Sequence, residues 1–426
     1  MRILQVVHQY PPYKVGGTEI YAQNLSRALK ARGHHVIVFH RGEPSLKRGV
    51  EASLDAQGVK VYAYREKVPP NPLRLFARSF RNPFMERSFA ELILKEDPEV
   101  IHFQHLKDLS AALVSLAGKR GIPIVLSLHD YWFLCPNAQL LRWRDGTICE
   151  GPKLWLNCAY LCAAYRVGFS PILFPGPLVA LLFAYRDRIL RKALFMADLV
   201  VCPSEFVRSI FMKQGLPEGR VCTLENGIEL SKGQILRKKE EKERVHFLYL
   251  GAIAWQKGVH ILIEAFNRLG PAEATLTICG DETAFPDYTR KLREMASDSI
   301  IFQGAVGRSK MWATLASADV LILPSLWYEV SPLVIQEAFA AGVPVIASRI
   351  GALEEKVRHG VDGLLFPPGD ATALCNLLRG LMANPSTLEG LRRNIRPVKT
   401  AMESAKEMEA LYERYVLKGR NSDRGG

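Results

Sequence analysis

Residues 319–337 read Asp319-Val-Leu-Ile-Leu-Pro-Ser-Leu-Trp-Tyr-Glu-Val-Ser-Pro-Leu-Val-Ile-Gln-Glu337: an apolar strand, a short loop and the opening of a helix. Pro332 suits the first turn of a helix, where its fixed φ is already correct and its missing N–H is not needed. Glu337 then lies about one and a half turns inside that helix, while Glu329 stays on the loop before it. The two carboxylates, eight residues apart, therefore line one wall of a crevice at the carboxyl end of a parallel strand, where open α/β sheets bind ligands.

The same alternation extends in both directions. Downstream of residue 245, strands are expected at Phe247–Leu250, Thr275–Cys279, Ile300–Gln303, Val320–Leu323, Val343–Ala347 and Leu364–Phe366, with a helix over Val259–Leu269. Upstream, Ile3–Val7 reads as a strand and Gln9–Gly17 as a loop. Glu19–Arg32 is a helix with Tyr21, Leu25, Ala28 and Leu29 on one side, closed by Gly33. Strands follow at Val36–Phe39, Val59–Tyr64, Val100–Phe103, Ile124–Leu128 and Leu199–Cys202. The pattern predicts an α/β protein of two doubly wound domains facing across a cleft. The expected divisions are 1–200, a closing segment and linker at 201–245, a second domain at 246–385, and helices with a frayed tail at 386–426; Lys232–Arg244 is the charged linker.

A chain of 426 residues with 48% hydrophobic content is long enough for two cores. Its net charge of +13 is uneven: residues 1–245 hold 36 Lys+Arg against 23 Asp+Glu, and residues 246–426 hold 20 of each. No zinc-finger, helix-turn-helix or RNA-recognition signature accompanies the basic half, so no nucleic acid is expected; an anionic membrane or lipid substrate, or an ordinary solubilising surface, explains the charge. The start, Met1-Arg-Ile-Leu-Gln-Val-Val, is broken by His8, Gln9 and Tyr10 before a secretory core could develop, which predicts a cytoplasmic protein. Nineteen uncharged residues lie between Arg166 and Arg186. Pro171, Pro175 and Pro177 argue against a span, leaving two readings, a patch that enters a membrane interface beside Arg188, Arg191 and Lys192 or a buried helix.

Strand Phe247–Leu250 runs into Gly251-Ala-Ile-Ala-Trp-Gln-Lys257-Gly258. A glycine turn ending in lysine before a helix suits a diphosphate, since backbone N–H groups and the helix dipole meet the oxygens and the ammonium adds a point charge. A P-loop spacing is absent. At Cys279-Gly280-Asp281 a second glycine allows close approach to the backbone.

These stretches, with Ala338-Phe-Ala-Ala-Gly342-Val-Pro-Val-Ile-Ala347, Gly360-Val-Asp-Gly363, Gly16-Gly17-Thr-Glu, Leu128-His129-Asp130, Pro203-Ser204 and Asn226-Gly-Ile, resemble the retaining nucleotide-sugar glycosyltransferases of family four. That resemblance implies the GT-B fold, two Rossmann-like domains with the donor on the second and the acceptor on the first. It implies that Glu337 holds the donor ribose, that Glu329 holds the transferred sugar, and that backbone groups at Ser331, Pro332, Leu333 and Val334 face sugar or diphosphate. Lys257 would neutralise charge growing on the leaving phosphate, beside Gly251 and Gly280. Gly16 and Gly17 would let a loop close over the phosphates, and His129 would contact the donor sugar. The family usually has arginine where this chain has Ala252. A nucleotide-sugar epimerase and a non-enzymatic nucleotide-sugar binder are the alternative readings.

No Asp-x-Asp motif ends a suitable strand, so catalysis is expected to need no divalent metal or other cofactor. Cys135, Cys149, Cys158 and Cys162 fall within 28 residues. Four thiolates could close a structural zinc site; scattered reduced thiols or a redox pair fit the spacing as well. The expected partners are a nucleoside-diphosphate sugar, a glycan or lipid-linked acceptor, and the inner face of a membrane.

Overall fold

A computed structural model of the chain describes residues 1–12, 16–67, 76–170, 172–230, 244–270 and 274–422, without the side chains of 416–422. Most of the charged stretch Lys232–Arg244 and the last four residues of the tail lie outside the described residues. The chain divides into two compact units, one of residues 1–229 with 400–426 and one of residues 230–399.

The first unit is built on eight strands: β1 (Arg2–Val7), β2 (His35–Arg41), β3 (Gly49–Leu54), β4 (Lys60–Arg65), β5 (Val100–Phe103), β6 (Ile124–Ser127), β7 (Leu199–Cys202) and β8 (Val221–Thr223). Their order is β3-β4-β2-β1-β5-β6-β7-β8, parallel except where β3 runs antiparallel to β4. The sequence reading had no β3: Val50, Ala52 and Leu54 alternate with Glu51 and Ser53, but all six residues are exposed and the run lacks the dense apolar content of the core strands. The central strands β1, β5, β6 and β7 are buried along almost their whole length and mostly apolar, interrupted by the buried Gln5 and His102, as expected of parallel strands buried on both faces. Helix α1 (Gly17–Ala31) buries Tyr21, Leu25, Ala28 and Leu29, the expected side.

Helix α2 (Gly176–Met196) takes up the second half of the uncharged segment. Pro177 lies in its first turn, where proline starts a helix instead of breaking one. Ala180, Leu190, Ala193 and Leu194 are buried while Leu178, Leu181 and Tyr185 face outward, so the segment is both a packed helix and an exposed apolar surface. No described helix is long and apolar enough to cross a membrane.

The second unit has β9 (Val245–Leu250), β10 (Ala274–Cys279), β11 (Ile300–Gly304), β12 (Val320–Leu323), β13 (Val345–Ser348) and β14 (Gly363–Phe366). They form a parallel sheet in the order β11-β10-β9-β12-β13-β14. The chain winds outward from β9 to one edge, then returns to β12 beside β9 and winds to the other. That reversal is a topological switch point, where the connections after β9 and β12 leave toward opposite faces and open a crevice. Helix α3 (Val259–Asn267) buries Val259, Leu262, Ile263 and Phe266 against the sheet core, each worth roughly 1.5–3 kcal/mol. Helices α4 (Arg308–Ser317) and α5 (Leu333–Ala340) precede and follow β12.

Residues 386–426, expected as terminal helices and a tail, are shared between the units. Leu388 and Leu391 of the helix Pro385–Arg393 join the second core, whereas α6 (Ala401–Ser422) belongs to the first unit and buries Ala405, Met408 and Tyr412 there.

Candidate active site

The loops after β9 and β12 are stitched together by backbone. Leu326 N–H donates to Gln256 O at 2.8 Å. Gly258 has φ +70°, and a Cβ placed on it would lie 1.9 Å from the carbonyl oxygen of Pro324. Only glycine allows that approach, and it delivers the preceding residue, Lys257, to Glu329. Lys257 Nζ donates to Glu329 Oε1 at 2.7 Å and stands 5.0 Å above the Trp327 ring. The same Oε1 accepts from Ser325 Oγ at 2.7 Å and Trp327 Nε1 at 2.9 Å. Glu329 is 5% exposed, and a buried carboxylate persists when charged partners and hydrogen bonds replace water. Ser325 and Trp327 were not anticipated, though both stand within four residues of Glu329.

Glu337 is buried on α5, and its partner is Arg308 Nη1 at the start of α4. Arg308 also escaped the sequence reading, because nothing local connects it with a residue 29 positions away. Pro332 caps α5, so the first N–H groups of the helix, on Leu333 and Val334, have no intrahelical acceptor. Ser331 Oγ is buried without a hydrogen-bond partner among the described residues. Gly251 and Gly280 meet each other: a Cβ on Gly280 would lie 2.2 Å from Gly251 O, so that glycine admits the neighbouring strand's backbone. Ala252 is exposed and its carbonyl accepts the Tyr249 hydroxyl at 2.6 Å. Burial, with the charge of Glu329 nearby, holds that phenol well above its usual range.

In the first unit the sheet order switches between β1 and β5, and the strand ends there carry histidines. His8 Nε2 pairs with Glu19 Oε1 at 3.0 Å, and His105 Nε2 with Asp130 Oδ2 at 2.8 Å. The His8 and His105 rings stand 4.4 Å apart. His129 Nε2 donates to Gln104 Oε1 at 2.7 Å, and Gln104 Nε2 donates to Gln5 Oε1 at 2.9 Å. Gln5 in turn donates to the buried hydroxyl of Tyr412 on α6 at 3.1 Å. The candidate His129 is thus oriented through the sheet from the C-terminal helix. Gly16 precedes α1 in extended conformation, and Gly17 opens the helix with open space where a Cβ would stand.

Burial pushes the His129 imidazole down to about 3 and His40 down to about 4, and it also lowers His8. Below pH 6.5 the unfolded chain binds protons that these native rings refuse. Their stabilisation is complete above that pH and is lost as pH falls toward the folded values. Each ring contributes up to about 1.4 kcal/mol per pH unit. Urea midpoints measured at pH 7, 6 and 5 are expected to fall, and His40→Gln to flatten the slope; a pH-independent midpoint would contradict the buried neutral state.

A family model described as Glycosyltransferase Family 4 matches residues 15–232, just over half the chain, and one described as Glycosyl transferases group 1 matches 232–398. The chain is a family 4 glycosyltransferase. Its relatives include the glycogen synthase of Mycobacterium tuberculosis strain H37Rv, 27% identical over 405 residues spanning 93% of this chain and 89% of that protein. The D-inositol 3-phosphate glycosyltransferase of Xylanimonas cellulosilytica is 31% identical over 399 residues, 87% of this chain and 84% of that one. In fold it matches sucrose-phosphate synthase from Thermosynechococcus elongatus, with 20% identity, a TM-score of 0.69, and 97% and 98% of the two chains covered. The enzyme has the GT-B fold and transfers a sugar from a nucleoside-diphosphate sugar to an acceptor.

The zinc site that was one reading of the glycosyltransferase's cysteines is not assembled. Cys135, Cys149, Cys158 and Cys162 line one cavity, yet among the described residues no group of three or more His, Cys, Asp or Glu could hold a metal ion. Cys149 Sγ donates to Gly151 O at 3.5 Å and Cys162 Sγ to Leu141 O at 3.8 Å, contacts a thiol makes and a metal-bound thiolate does not. Burial raises the Cys135, Cys158 and Cys162 thiols above their usual range, which favours the protonated form further.

Proposed function

We propose that this enzyme moves a hexose, with retention of anomeric configuration, to a hydroxyl of a glycan or lipid-linked acceptor in the synthesis of cell-surface polysaccharide or glycolipid. The observation that carries the reading is the convergence of Lys257 and Glu329, from the loops after β9 and β12, on the switch point of the second sheet. Glu337 holds the two ribose hydroxyls, as a carboxylate can, and entry of the nucleotide exchanges part of its contact with Arg308. The free N–H groups at the start of α5 and the unpartnered Ser331 hydroxyl face sugar and diphosphate. Lys257 turns from Glu329 to the leaving phosphate as the glycosidic bond breaks, so its stabilisation is concentrated in the transition state. Glu329, relieved of that cation, accepts from the hydroxyls of the transferred sugar. His129, held neutral by burial, can hydrogen-bond a sugar hydroxyl.

Both glutamates come from one loop and the helix it enters, so they grip one ligand instead of flanking a bond as a glycosidase's acid and nucleophile do. Front-face attack suits this set of groups: the acceptor oxygen bonds to the anomeric carbon as the diphosphate departs on the same face and takes the acceptor's proton. Incubation with a panel of nucleotide sugars, followed by NMR of the product's anomeric proton, tests the reading; an inverted anomer, or an epimerised donor with no transfer, overturns it. Lys257→Ala is expected to cut turnover at least tenfold with donor affinity changed less, and equal losses would remove the transition-state role.

The acceptor side is proposed to work at the inner face of a membrane. The +13 charge of residues 1–245, together with the exposed Tyr165, Val167, Phe169, Ile172, Leu173, Leu178 and Leu181, supports this placement. Binding to vesicles containing anionic lipid is expected at low salt and release at high salt; no binding at low salt would reject it.

A further inference from the structure

A cavity of about 330 Å³ lies in the first unit, walled by the loop through Trp132–Arg166 and by α2. That volume falls in the range of small-molecule pockets, roughly 300–1,000 Å³. Its wall carries four cations, Lys107, Arg142, Arg166 and Arg186, against one carboxylate, Asp108, which itself faces Arg41 at 3.9 Å. None of the four cations forms an ion pair among the described residues.

Arg186 is the telling member. It is 3% exposed, its guanidinium stands 5.1 Å over the Trp132 ring, and Nη2 donates to Trp132 O at 2.6 Å. Its other terminal nitrogen, Nη1, is buried with no acceptor among the described residues, and so is Arg142 Nε on the same wall. A buried N–H left without an acceptor costs about 1–3 kcal/mol, more on a charged group. Two such donors on one cavity wall, both on unpaired guanidinium groups, match a ligand made of acceptors and negative charge. Apart from Ser79, Asn137 and Asn157 the rest of the wall is apolar or thiol, including Phe76 and Phe183 with ring centroids 6.1 Å apart. Chain segments running directly from it expose Tyr165, Val167 and Phe169 on one side and Leu181 and Tyr185 on the other.

We propose that this cavity seats the diphosphate head of a lipid-linked acceptor, with the hydrocarbon leaving along the exposed apolar residues of 165–185. The proposal rests on the membrane-acceptor reading above and gives it a location. Arg186, Arg142 and Arg166 hold phosphate oxygens, and the aromatic pair packs the first carbons of the chain. The excess of cations over carboxylates favours a diphosphate over a single carboxylate head.

Isothermal titration of the full-length protein with farnesyl diphosphate, inorganic pyrophosphate and farnesol tests it. Farnesyl diphosphate is expected to bind at least tenfold tighter than either fragment. The double variant Arg142→Ala/Arg166→Ala, which spares the buried Arg186, is expected to weaken it at least tenfold while nucleoside-diphosphate binding stays unchanged. Pyrophosphate binding as tightly as the lipid would make this a free-phosphate site and overturn the lipid assignment; unchanged affinity in the variant would overturn the cavity. Loss of lipid binding alone and loss of nucleotide binding alone separate failure of this site from failure of the donor assignment.

Discussion

Glu329→Gln is expected to lower kcat by about 10²–10³-fold while leaving the fold intact, the scale seen when one preorganised electrostatic contact is removed from a reacting centre. The substitution keeps the volume and one acceptor oxygen, so Ser325 Oγ and Trp327 Nε1 retain a partner. What is lost is negative charge. Lys257 Nζ, 2.7 Å away in the resting enzyme, no longer has a counter-ion to hold it above Trp327, and in the role proposed for Glu329 the transferred sugar would meet a neutral amide in place of a carboxylate. Steady-state rates with donor binding measured in parallel separate the effects: the expected pattern is a large fall in kcat with nucleotide affinity changed little. A variant with wild-type kcat would remove Glu329 from the chemistry.

Gly258→Ala should give the largest loss of stability of any single methyl added to the second unit's loops. At φ +70° an L-residue costs about 1–2 kcal/mol. Here the new Cβ also meets backbone, the Pro324 carbonyl at 1.9 Å, which no rotamer change can relieve. A total of about 3 kcal/mol or more is expected, read as a lower urea midpoint. Gly342→Ala is the comparison, because it has a similar φ of +74° with nothing within 4 Å of the added atom; its loss should stay near the dihedral cost alone. Equal losses in the two variants would show that the approach to Pro324 is not what holds the loops together. Activity of the folded Gly258→Ala protein should fall as well, since the same turn carries Lys257 to Glu329.

The placement of Glu329 on a loop and Glu337 inside a helix was legible before any coordinates, because proline at a helix start and an apolar strand before it are local signals. The basic, apolar segment at 166–186 was legible as composition, but not how it would be used. A single helix beginning at Gly176 takes Pro177 into its first turn, buries Arg186 and exposes Leu178 and Leu181 at once. The zinc reading failed for a related reason: spacing shows that four cysteines lie near one another in the chain, whereas metal binding needs their sulfur atoms to converge.

From one residue to the next, the chain alone dictated alternating apolar strands, glycine-bounded turns and helix starts, and so two α/β domains with acids and a lysine at strand ends. These follow from backbone geometry and side-chain period, which act over a few residues. Tertiary structure decided the rest: that β9 and β12 are neighbours, that Gly258 abuts Pro324 so that Lys257 reaches Glu329, that Arg308 answers Glu337, and that α6 returns to anchor the strand bearing Gln5. Each of these pairs residues tens to hundreds of positions apart, and only the order in which strands are laid into a sheet brings them within a hydrogen bond.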